Sequence, residues 1–136
     1  MGGPILGVDP GTRKCGFAVV SAIGEPPLEI GIAALEELPA VLAGLRERHG
    51  CAVVALGGGT HAAPVGQALR LLGFSVELVD ERETTLRARA RYFQAHPPRG
   101  WKRLIPRGML LPPRPIDDYA ALLIAERFLG RAGGVP

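Results

Sequence analysis

The chain has 136 residues, a formal net charge of +3, and 47% hydrophobic against 21% charged residues, a balance that suits one globular domain with a single core. No segment approaches the roughly 18 consecutive apolar residues of a membrane span. The start, MGGPILGVDPG, lacks the basic and apolar regions of a secretory leader, so a cytoplasmic protein without membrane partners is expected.

Residues 4–9 and 16–22 form an apolar pair joined by PGTRKC, where Pro10 pre-sets φ and Gly11 accepts a positive φ, as a tight turn needs. Residues 28–34 alternate weakly and predict a third antiparallel strand. LEELPAVLAGLRERHG then carries leucines at helical spacing and closes on Gly50. CAVVALGGG predicts a strand buried on both faces, HAAPVGQALRLLG a helix ended by Gly73, FSVELVDE a strand and TTLRARARYFQA a helix. The proline-rich stretch at about 96–115 has no period and predicts a basic arm within the domain, before a final helix, IDDYAALLIAERFLG. Cys15 and Cys51 share no metal or redox spacing and read as small core residues of a reducing compartment. The rhythm predicts an α/β fold: a mixed five-stranded sheet, an antiparallel β1–β3 meander followed by parallel β4 and β5, with helices on both faces and the first strand central.

Three acidic sites fall at element ends: Asp9, the pair Asp80-Glu81, and Asp117-Asp118 opening the last helix. Ligands of parallel sheets gather at the carboxyl ends of strands, so Asp9 and Glu81 are expected at one edge. Asp117 shares a helical stripe with Ala121, Ile124 and Phe128 and is expected to point inward, with Asp118 about 100° away. Carboxylates that converge without basic partners repel each other, and a hard divalent cation removes the conflict. Oxygen donors suit Mg²⁺ or Mn²⁺, and two such ions roughly 3.5–4 Å apart support phosphodiester cleavage. Singly, each acid also has a plain role: Asp9 as a turn residue, Glu81 as a solvated strand end, Asp117 as a helix N-cap with Asp118 as a favourable first-turn charge.

Between Thr84 and Ile116 there is no acid, yet eight of the sixteen Lys and Arg lie there. Arg87, Arg91, Arg99, Lys102, Arg103, Arg107 and Arg114, with Arg13 and Lys14 of the first turn, are candidate nucleic-acid contacts, and Trp101 is a candidate stacking platform. The alternatives are a solvated helix face for the helix arginines and a loop anchor for Trp101. GGGT at 57–60 lacks the lysine and spacing of a P-loop and reads as a turn.

ILGVDPGTRKCGFAVV, VELVDERETT and PIDDYAALLIAERFL together resemble the YqgF/RuvX family of RNase H-like nucleases, and the opening GVDPG is similar to the related RuvC Holliday-junction resolvases. The resemblance covers nearly the whole chain, and residue by residue it implies that Asp9, Glu81 and Asp117 are the metal-binding catalytic carboxylates, with Asp118 assisting. It implies one RNase H-like domain over 1–136, Asp9 bridging two Mg²⁺ or Mn²⁺ ions, and branched DNA or 16S ribosomal RNA precursor as substrate. Homodimers are frequent in this group. The chain departs from the family at Pro10, where Tyr or Phe is usual, at Ser21-Ala22, where an Asp is usual, and in the ALGGGTH stretch. Two other readings stand beside the nuclease: an inert nucleic-acid-binding adaptor, and a fragment of an actin/Hsp70-like phosphotransferase, whose second domain this chain has no room for.

Overall fold

The computed structural model describes residues 3–59, 61–79, 84–97, 100 and 117–132. In chain order the strands are β1 (Ile5–Asp9), β2 (Lys14–Val20), β3 (Glu29–Ala34), β4 (Val53–Gly57) and β5 (Ser75–Val79). The helices are α1 (Leu38–His49), α2 (Ala62–Leu71), α3 (Thr84–Ala95) and α4 (Asp117–Ala132), and a short 3₁₀ turn, Leu35–Glu37, precedes α1. The five strands form one sheet in the order β3-β2-β1-β4-β5. β1, β2 and β3 pair antiparallel, while β4 runs parallel to β1 and β5 parallel to β4. The expected mixed sheet with a central first strand is therefore present.

Local chemistry sets most boundaries. β2 starts two residues before its apolar run because Lys14 pairs with Ala34 in the ladder while its side chain stays in solvent. Leu35 to His49 is two pieces rather than one helix: Pro39 stands in the first turn of α1, where its missing N–H costs nothing, and the residues before it form the 3₁₀ turn. Gly50 ends α1 in the left-handed conformation at φ 72°, its N–H bonding the Arg46 carbonyl at 2.8 Å.

Alternation along the strands divides the core between the two sheet faces. Leu6, Val8, Val19, Val54 and Leu56 pack with Leu42 and Leu45 of α1 and Leu69 of α2. On the other face Ile5, Ala18, Val20, Ala55 and Val79 meet Ala121, Leu122, Ile124 and Ala125 of α4. Each fully buried Leu, Ile or Val contributes about 1.5–3 kcal/mol, so both faces are needed. α3 covers the outer side of α4, with Tyr92 edge-on to Tyr119 at 5.6 Å. Among the described residues no helix is long and apolar enough to cross a membrane.

Candidate active site

Asp9 is the last residue of β1 and lies across from Gly16 of β2. Directly opposed residues of an antiparallel pair project to the same face, so Asp9 shares the α4 side of the sheet with Gly7, Gly16 and Ala18. The turn that follows is tight for a reason other than the expected one. Gly11 is not among the positive-φ glycines; a Cβ there would instead stand 2.5 Å from the Lys14 carbonyl oxygen. Glycine at position 11 thus lets the turn fold down on itself.

The glycines of the α4 face decide where Asp117 sits. A Cβ on Gly7 would overlap the Ala121 carbonyl, and one on Gly16 would overlap the Asp117 carbonyl and lie 2.7 Å from the Asp118 nitrogen. Without those side chains α4 rests directly on the strand backbones. Its first turn is delivered beside Asp9, and Asp9 and Asp117 face one open cleft of about 410 Å³ walled by the Pro10–Lys14 turn. Two carboxylates in the first turn also suit the positive end of the helix.

The helical phase differs from the expectation. Asp118, expected to turn away, is only 4% exposed, whereas Asp117, expected inward, is half-buried at the cleft. The stripe Asp118-Leu122-Glu126 is buried as well as the stripe through Asp117, because α4 is covered by the sheet on one side and by α3 on another. The Asp118 Oδ1 accepts the Tyr119 N–H at 3.0 Å.

The field of the site reaches Cys15. Burial pushes its thiol above the ordinary 9.0, a hydrogen bond from the Gly11 backbone pulls it back, and the charges of Asp9 and Asp117 both push it up again. Both acids therefore act on one neighbourhood. Among the described residues no group of three or more His, Cys, Asp or Glu forms a metal site. Among the described residues the cleft offers two carboxylates, Asp9 and Asp117, a hard oxygen donor set that fits Mg²⁺ or Mn²⁺ in kind. Glu81 lies outside the described residues. Val79, two positions before it in the sequence, belongs to the α4-facing cluster.

Of the basic candidates, Arg13 and Lys14 are exposed and line the cleft. Arg87 is exposed on α3. Arg91 donates to the Glu126 Oε1 at 2.6 Å in a largely buried ion pair. Arg99, Trp101, Lys102, Arg103, Arg107 and Arg114 lie outside the described residues, as does most of the arm at 96–115. Glu126 itself escapes sequence reading. It is 9% exposed, and its second oxygen accepts the Gly24 N–H at 2.8 Å, which ties the β2–β3 connection to α4 and α3 together. A charged residue at the Asp118-Leu122 spacing was the available signal.

No protein-family profile and no curated protein sequence matches the chain significantly. Solved structures do match. Thermus thermophilus RuvC is 18% identical over 96% of both chains, with a TM-score of 0.54. The same organism's RuvC in complex with a Holliday junction substrate is 17% identical over 96% of both chains, with a TM-score of 0.58. The chain thus has the RNase H-like fold of these proteins, a mixed five-stranded sheet with helices on both faces.

Proposed function

We propose that this chain is a divalent-metal-dependent endonuclease that hydrolyses phosphodiester bonds in structured nucleic acid, resembling the YqgF/RuvX and RuvC nucleases. The observation that carries it is that Asp9 and Asp117, from opposite ends of the chain, face a single cleft whose lip carries Arg13 and Lys14. Carboxylates inside and exposed cations at the rim suit a phosphate held against bound metal. The fold shared with a protein solved on a Holliday junction adds support for a branched DNA substrate. The VDER and DxxAA motifs support a ribosomal RNA precursor as the other candidate.

In this reading Asp9 and Asp117, with Glu81 and assistance from Asp118, hold Mg²⁺ or Mn²⁺. Bound there, the ions supply Lewis-acid polarisation of the phosphate and a water of lowered pKa. Arg13 and Lys14 orient the backbone by pairing with its phosphates. Gly7 and Gly16 set the depth of Asp117 by letting α4 sit on the strands. The low turn at Gly11 keeps the entrance open to a backbone as wide as nucleic acid.

The test is a cleavage panel with a four-way DNA junction and a 16S ribosomal RNA precursor, each with Mg²⁺, Mn²⁺ or EDTA. Asp9→Asn is expected to lose orders of magnitude in rate while binding the substrate nearly as well. Cutting by Asp9→Asn at the wild-type rate would overturn the assignment. Binding by the wild type without cleavage under either metal would make the chain an adaptor. Light scattering with and without junction tests the homodimer that this reading carries.

A further inference from the structure

A second depression, of about 280 Å³, lies across the β1–β2 turn from the carboxylate cleft, on the face covered by α1 and α2. It is walled by Leu38 and Pro39 at the start of α1, by His61 and Pro64 at the start of α2, and by Gly11 and Thr12. Gly11 and Thr12 also line the carboxylate cleft, so the two depressions share a wall two residues thick. Their chemistry is opposite. Among the described residues no Asp, Glu, Lys or Arg lines the second one, and its polar side chains are His61 and Thr12. It therefore suits neither a phosphate nor a metal ion. Its volume falls just below the usual range of small-molecule pockets, enough for one flat heterocycle and too small for a helix face.

We propose that this depression receives an unstacked nucleobase of the strand whose phosphate occupies the carboxylate cleft. The proposal rests on the nuclease reading and refines it. In a nucleic acid the neighbour of every phosphate is a sugar bearing a base, so a strand laid over the β1–β2 turn brings a polar and an apolar group to the two sides of a shared wall. The His61 ring and the faces of Pro39 and Pro64 offer flat apolar contact, while Thr12 and His61 can hydrogen-bond a base edge. Unstacking a paired base costs a few kcal/mol, least where the base is already unpaired. Such a pocket selects branch points, bulges and single strands over continuous duplex through the base as well as through the phosphate.

The experiment places 2-aminopurine, which brightens when unstacked, at successive positions around the branch point of the junction and at the unpaired positions of the RNA precursor. It is run on the full chain in EDTA, so that no cleavage is required. One position is expected to brighten on binding. Ala68→Phe, which fills the depression, and His61→Ala, an exposed position that leaves the core untouched, are both expected to reduce that rise. An abasic site at the same position should weaken binding roughly 5- to 150-fold, the range that base–ring stacking spans. Ala68→Phe should add little to that loss, because both changes remove one contact. Binding with no responsive position, or an undiminished rise in both variants, overturns the base pocket and leaves the nuclease reading standing. Failure of the wild type to bind either substrate, in EDTA and in Mg²⁺ alike, overturns both.

Discussion

Gly16→Ala is the sharpest probe of how the site is assembled. The new methyl would overlap the Asp117 carbonyl and stand 2.7 Å from the Asp118 nitrogen, where ordinary contact begins at 3.4 Å. Both obstacles are helix backbone, so no rotamer change relieves them, and the start of α4 must retreat by at least 0.7 Å, the difference of those two distances. Overpacking of this kind costs about 1–3 kcal/mol of stability. Displacement of a reacting group by about 1 Å costs on the order of 10²-fold in rate. Gly31→Ala is the matched control: its methyl would stand 2.8 Å from the far end of the Phe17 ring, so the clash is with a core side chain and not with the backbone of α4. Urea unfolding and the proposed Mn²⁺-dependent cleavage are measured on both variants at a temperature where both are folded. Gly16→Ala should cleave about 100-fold more slowly, while Gly31→Ala stays near wild type. Equal rates in the two variants would refute the claim that the glycine seat of α4 sets the position of Asp117.

Three further outcomes are expected. Glu126→Ala leaves Arg91 without its carboxylate in a largely buried place and removes the acceptor of the Gly24 N–H, so urea unfolding should show a loss of about 3–5 kcal/mol. Glu29 behaves differently, because hydrogen bonds from His49 and then Arg48 hold its carboxyl below the ordinary 4.5. The wild type should therefore exceed Glu29→Gln in stability above pH 4.5, by no more than about 1 kcal/mol for so exposed a pair. That advantage should vanish as the pH falls through the lowered folded value; an advantage that persists in acid would contradict the pairing. Cys15 and Cys51 are buried free thiols, both pushed above 9.0 chiefly by burial, and should react with a disulfide reagent only at the rate of unfolding.

Elements with a strong local period are legible in the sequence, and contacts across the fold are not. The leucines of α1, the glycine at 50 and the continuous apolar run of β4 each announce themselves within a few residues. Asp9 at a strand end and Asp117 at a helix start are legible as positions. Their meeting depends on Gly7 and Gly16, whose importance shows only when α4 lies on them. The phase of Asp118 is unreadable because a helix covered on two sides buries more than one stripe, and a single 3.6-residue period cannot say which. Gly11 misleads in another way: glycine serves positive φ or close approach, and composition does not distinguish them. Glu126 is hidden because both of its partners, Gly24 and Arg91, are remote in sequence.

The link from Gly24 to Glu126, spanning 102 positions, bears on the order in which the protein matures. A ribosome releases β1 and β2 long before α4, so the strand face that carries Asp9 stays uncovered through most of synthesis. Contacts this remote form late, after the local helices and hairpins. A nascent or truncated chain lacking α4 would then hold half of its acidic site and the latch of neither connection. On the proposed nuclease reading such a chain would not cleave, and competence would arrive only with the final helix.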